Sequence, residues 1–272
     1  MRILKLVLAT TSLLLLANTA LKAQYNDPSR LYVGGQLCGH VPFIVNQTNY
    51  GLPEMSYAVN APSIGGGVIA GIYFSSALQL QGEVSFARMG QEYKDNYSYI
   101  AGSFQLKKKI SMDYFQIPIL LRFVVAAQAD KVYMDDKPKL YFIAGPQISL
   151  LTAASYQYFV DGTAATWQQV DDRFGSGPEG AEIGNAINGA NKKVIEPKNA
   201  LDLYEKVSIE LVGGMGLEKM INENILLNIE GRAFFGFNDI NAINYQVKNR
   251  SNVYAGSHNF SMSIRIGAAY VF

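Results

Sequence analysis

Between residues 259 and 272 (NFSMSIRIGAAYVF) apolar positions alternate with small or polar ones without a break. Phe260, Met262, Ile264, Ile266, Ala268, Tyr270 and Phe272 hold one parity; Ser261, Ser263, Arg265, Gly267, Ala269 and Val271 hold the other. Successive strand side chains point to opposite faces, so this period-two pattern predicts a strand with one apolar face. The rhythm recurs upstream. Leu31–Val45 carries Leu31, Val33, Leu37, Val41 and Phe43 on one parity, and the glycine-rich 63–75 leaves its facing open. Residues 76–87 set Leu78, Leu80, Val84 and Phe86 against Gln79, Gln81, Glu83 and Ser85. Residues 110–126 set Phe115, Ile117, Ile119, Leu121, Phe123 and Val125 against Gln116 and Arg122, and 140–152 forms a fifth strand. Residues 207–219 and 225–237 complete the set, with Glu210 and Glu218 in the first and Asn228, Glu230 and Arg232 in the second opposing the apolar parity. Each run meets the roughly 9–11 residues a tilted strand needs to cross a bilayer.

The connections alternate in length. Those at 46–62, 88–109, 153–206 and 238–258 are long; those at 75–76, 127–139 and 220–224 are shorter. Short periplasmic turns and long extracellular loops are the habit of outer-membrane barrels. Alternation does not by itself say which parity faces out, since a soluble eight-stranded barrel turns its apolar residues inward. The charges decide. Glu83, Glu210 and Glu230 with Arg122, Arg232 and Arg265 lie inside strands on the polar parity, three of each sign. An arginine on the lipid face at mid-bilayer costs roughly 2–4 kcal/mol, and three would approach the ~5–15 kcal/mol of a whole domain. A closed interior, by contrast, can pair them. The pattern predicts an all-β, antiparallel up-and-down transmembrane β-barrel with both termini periplasmic and long extracellular loops. It has eight strands, or ten if part of the third long connection joins the sheet. An eight-stranded interior is wide enough only for side chains, so the lumen is predicted to be plugged by the Glu/Arg network. Pro118 and Pro146 fall inside strands and cannot donate to a ladder, which predicts a bulge or bend at each.

Composition adds the compartment. A basic start (Arg2, Lys5), a short apolar core and small residues read as an export signal, cut after Ala23 or after Ala20. This leaves 24–272 as the barrel domain. Only 17% of residues are charged, against about 25% in soluble domains, as expected of a surface partly in lipid. The net charge of +1 gives no reason to expect nucleic acid. Cys38 is the single cysteine, so no internal disulfide forms. Cys38 and His40 share a strand face, but two ligands fall short of a structural zinc site, and neither metal nor cofactor is expected. The middle of the third long connection, 174–193, is rich in Gly and Asn and is predicted to be mobile.

The aromatic end of the last strand, Tyr270 and Phe272, resembles the closing strand of bacterial outer-membrane barrels. That resemblance implies a signal read by the barrel insertion machinery. Residues 114–122 (YFQIPILLR) and 141–149 (YFIAGPQIS) resemble the PorT-like outer-membrane β-barrel family, with its Ile-Pro run in the fourth strand and Gly-Pro in the fifth. The resemblance implies an outer-membrane protein with no catalytic residues, presenting loops or serving a secretion or envelope system. A small porin-like channel and a membrane-embedded lipid-modifying enzyme are the competing readings; the latter would draw on Ser257 and His258. Tyr93, Tyr97, Tyr99 and Phe104 cluster beside Lys107, Lys108 and Lys109 in the second long connection. They form either a surface for a protein or glycan partner or an interfacial girdle with lysines turned to anionic head groups. Trp167, the only tryptophan, is in the third connection and fits either reading.

Overall fold

The computed structural model describes residues 30–45, 56–58, 62–75, 77–99, 102–125, 138–162, 192–194, 198–243, 246 and 256–272. Eight long strands carry the fold: β1 (Leu31–Val45), β2 (Ser63–Tyr73), β3 (Leu78–Tyr99), β4 (Gly102–Val124), β5 (Lys139–Gly162), β6 (Val207–Met220), β7 (Ile225–Gly236) and β8 (His258–Val271). Each pairs antiparallel with its sequence neighbours, and β1 pairs with β8, so the sheet closes into a ring. Closure brings the two ends of the barrel chain together: Tyr32 stands opposite Val271, and the Phe272 amide donates to the Leu31 carbonyl at 2.9 Å. Ten strands are not formed. Among the described residues, the short strands Lys192–Val194 and Lys198–Asn199 of the third connection pair only with the far end of β5.

The apolar parity faces out. Leu37 is 71% exposed, Ile64 81% and Ile264 65%, whereas Arg122, Arg232 and Arg265 are buried. From Phe115 in β4 to Val125 just past its end, the outward residues cover about 25 Å along the membrane normal, at roughly 3.4 Å per residue and a tilt of about 40°, matching the height of a barrel's apolar band. The ambiguous strand, β2, resolves the same way, with Ile64 and Val68 outward and Gly65, Gly67 and Gly71 inward. Those small residues make room for large neighbours. A Cβ on Gly71 would lie 2.3 Å from the Tyr32 ring, and one on Gly216 of β6 would lie 2.5 Å from the Tyr141 hydroxyl.

Three expectations change. The second long connection, placed at 88–109, is a hairpin: β3 and β4 stay paired to Tyr99↔Gly102. The third connection is shorter than 153–206, because β5 continues to Gly162. The prolines interrupt the ladder without shifting register. Between β3 and β4 pairing skips Pro118's position, from Gly82↔Ile119 to Ser85↔Gln116. Between β4 and β5 it skips Pro146's, from Pro118↔Gln147 to Leu121↔Ala144. Losing an N–H removes a rung but adds no residue. The register shift between β4 and β5 lies elsewhere, at Asp113/Tyr114, where Thr152 is the extra residue of a bulge. The expected signal peptide, Trp167 and the predicted mobile stretch apart from Lys192 and Lys193 lie outside the described residues.

Candidate functional site: the lumen network and the extracellular mouth

The inward side chains stack in layers. At the periplasmic end Tyr32 and Tyr73 meet edge to face, ring centroids 5.4 Å apart, among Ile69, Leu226, Ala269 and Val271. Above them sits Arg122 of β4. It donates to Glu218 Oε2 at 2.9 Å, to Gln81 Oε1 at 3.0 Å and to the Tyr32 hydroxyl at 3.4 Å, and its guanidinium lies 3.9 Å from the centre of the Tyr141 ring. Strand alternation delivers each of these groups to the guanidinium from a different wall, so both its terminal nitrogens are paired while Nε has no partner among the described residues.

Tyr141 links this layer to the next by donating to Glu230 Oε2 at 2.8 Å. There Glu83 of β3 is the hub. Its carboxylate accepts from both terminal nitrogens of Arg232, from Arg265 at 3.2 Å, from Gln36 at 2.7 Å and from Gln81 at 2.5 Å. Arg232 also pairs with Glu230. A carboxylate with five donors and two guanidiniums is a charge-assisted cluster of the strong kind.

Glu210 stands apart. It accepts from the Ser149 hydroxyl at 2.8 Å and from the Gln147 amide, and among the described residues no cation pairs with it. The structure thus brings five of the six sequence-marked charges into two connected layers and leaves Glu210 outside them. The balance of three and three also changes. Glu218, also on the inward parity, is buried against Arg122, so among the described residues four acids and three arginines are buried inside the barrel.

The extracellular mouth has its own core. Met89, Tyr93, Ile110, Met112, Tyr114, Leu151 and Ala154 line it from β3–β5, and Ala200, Tyr204 and Ile240 cover it. The covering chain is pinned by backbone hydrogen bonds, Ala200 to Ala154, Glu205 to Ile240 and Ala242 to Leu203, and by the Tyr204↔Asn241 bridge. Tyr93 is therefore interior and offers no exposed ring; Tyr97 and Phe104 stand opposite each other in the backbone register, Tyr99 opposite Gly102. Lys108 is also interior, 5.7 Å from the centre of the Tyr156 ring, whereas Lys109 faces out. Ser257 and His258 point to opposite faces. Ser257 is buried, its hydroxyl accepting from Asn241, while the His258 ring stacks on Phe235 of the outer wall at 5.7 Å. They cannot act as a nucleophile–base pair in this arrangement. Cys38 is free and buried; His40 meets the Ser63 hydroxyl at 2.7 Å and the Arg88 carbonyl at 2.6 Å. Among the described residues no cluster of three metal-ligating side chains occurs.

A closed ring with an apolar outer wall and ion pairs inside defines an integral outer-membrane β-barrel. The family model described as "Outer membrane protein beta-barrel domain" matches residues 22–242, and the chain belongs to that family. Among solved structures it is similar to Ail, the attachment invasion locus protein of Yersinia pestis, at 9% identity and a TM-score of 0.37, covering 90% of this chain and 100% of that one. It is also similar to Neisserial surface protein A, at 13% identity and a TM-score of 0.34, over 90% and 99% of the two chains. A third similarity is to the N-terminal barrel domain of OprF from Pseudomonas aeruginosa, at 8% identity and a TM-score of 0.32, over 88% and 97%. No curated protein matches the chain.

Proposed function

We propose that this outer-membrane barrel is a non-enzymatic protein of the PorT-like class that presents its extracellular loops as a binding surface or acts as a component of a secretion or envelope system. The observation that carries this reading is the filled lumen below a covered mouth. Arg122, Glu83, Arg232 and Arg265 occupy the axis, and Ala200, Tyr204 and Ile240 lie over the end. With the axis occupied by these side chains among the described residues, the parts left to act outside the cell are the 46–62 connection, the β3–β4 hairpin and the 163–206 and 237–257 connections. The Ile-Pro and Gly-Pro signatures, Ile117-Pro118 and Gly145-Pro146, support the PorT-like assignment. On this reading the partner of the loops is a protein or a glycan, and Tyr270 and Phe272 serve as the signal to the insertion machinery.

Two measurements test the reading. Planar-bilayer recording of the folded protein gives no stable conductance step; a large, long-lived aqueous conductance would favour the small-channel reading. Crosslinked outer membranes yield a co-purifying partner that disappears when residues 163–191 are replaced by a short linker, and recovery of the same partner without them would remove the binding role from that connection.

A further inference from the structure

The outer wall changes character sharply at one level. On β3 the outward residues pass from Val84 and Phe86 to Arg88, Glu92 and Lys94; on β4 they pass from Phe115 to Asp113, Ser111, Lys109 and Lys107. Cross-strand register puts these groups in rows: Arg88 opposite Asp113, Glu92 opposite Lys109 and then Gln157, and Ser111 opposite Ser155. The Thr152 bulge of β5 lies at the same level and turns two consecutive residues, Thr152 and Ala153, outward. Between these strands opens a pocket of about 240 Å³ whose polar lining is Arg88, Lys109, Ser111, Asp113, Ser155 and Gln157. That volume is several times the roughly 30 Å³ of a water in the liquid, room enough for a phosphate.

We propose that this pocket holds the phosphate head group of an anionic lipid of the outer leaflet, with Lys109 and Arg88 as its cations and Ser111 and Ser155 as its hydroxyl donors. The pocket sits on the lipid-contacting wall directly above the apolar belt, where head groups lie, and not in the lumen or at the mouth. The wall around it carries four cations, Arg88, Lys94, Lys107 and Lys109, against two carboxylates, Glu92 and Asp113. Asp113 does not repel an anion at full strength, because Arg88 holds both its oxygens, at 2.6 and 2.9 Å. Among the described residues the side chains of Lys109, Ser111 and Ser155 have no hydrogen-bond or ion-pair partner, which leaves one ammonium and two hydroxyls to donate. Basic pockets at membrane head-group level take lipid phosphates for this reason.

Native mass spectrometry of the detergent-solubilised full protein tests this with three probes: bis-phosphorylated lipid A, dephosphorylated lipid A and inorganic phosphate. Bis-phosphorylated lipid A is expected to be retained about tenfold more strongly than its dephosphorylated form, the discrimination a charged hydrogen-bond set supplies. Lys109→Gln should remove most of that difference, and Arg88→Gln/Lys109→Gln all of it. Lys219→Gln, an exposed lysine at the opposite end of the barrel, should leave it unchanged. Heat-dependent gel migration checks that each variant is folded; for one that is not, Ser111→Ala/Ser155→Ala replaces it, with a partial loss expected. Equal retention of the two lipids, retention unchanged by Lys109→Gln, or full displacement by equimolar inorganic phosphate would each overturn the proposal.

Discussion

Glu83→Gln is the sharpest perturbation of the lumen, because the substitution keeps the volume and removes only the charge. Wild-type Glu83 receives two bonds from Arg232, one from Arg265 and one each from Gln36 and Gln81. Arg232 keeps Glu230 as a counter-ion, but among the described residues the remaining side-chain hydrogen bond of Arg265 is to the Ser263 hydroxyl at 3.5 Å. The variant thus strands a guanidinium that is 2% exposed. Removing one partner of a buried ion pair costs about 3–5 kcal/mol, a large part of the ~5–15 kcal/mol of a whole domain. The measurement is urea unfolding in lipid vesicles, followed by the shift between folded and unfolded bands on unheated gels. Adding Arg265→Met removes the stranded charge, so the double variant should be more stable than the sum of the singles by at least about 1 kcal/mol. A single-variant change within about 0.5 kcal/mol of wild type, with additive singles, would refute the hub role of Glu83.

Glu210 should behave in the opposite way. As a buried carboxylate with no cation among the described residues, it gains nothing from its charge, so Glu210→Gln should leave the urea midpoint unchanged or raise it. Gly90 has φ +148° and a Cβ there would lie 2.0 Å from the Ile110 carbonyl oxygen. Gly90→Ala should therefore strain the β3–β4 hairpin by about 1–3 kcal/mol and speed its cleavage by added protease while the membrane belt stays intact. Deleting Phe272, whose ring packs on Tyr270 at 5.0 Å, should slow assembly by the insertion machinery in membranes more than it slows spontaneous folding into detergent.

The membrane belt was legible because two environments of opposite polarity face each strand there, and period-two alternation records both. The same rule explains the misplaced second connection. Above the belt the outer wall meets polar head groups and then water, so the phase inverts: Met89 and Tyr93 point in where Arg88, Glu92 and Lys94 point out, and Ile110 and Met112 point in against Lys109 and Ser111. The strand continues while the apolar-out signal vanishes, and that inverted alternation was the missed clue. Of the six charges marked from sequence, five meet in the network because parity fixes the face. Depth and partner are set by register, which a single strand does not encode, so neither the pairing of Arg122 with Glu218 nor the isolation of Glu210 could be read in advance. Of the bulge or bend expected at each proline, the bulge is not formed: a missing N–H calls for a missing rung, not for an inserted residue.

All of this depends on the apolar parity meeting lipid and the charged parity meeting a filled interior. Nitroxide labels placed one at a time along 261–267, in a Cys38→Ser background, measure it directly through collision with bilayer-soluble oxygen and with a water-soluble nickel chelate. High oxygen accessibility is predicted at 262, 264 and 266 and low accessibility to both reagents at 261, 263, 265 and 267. The reverse phase, or nickel access at 263 and 265 matching that of an exposed loop, would contradict the account.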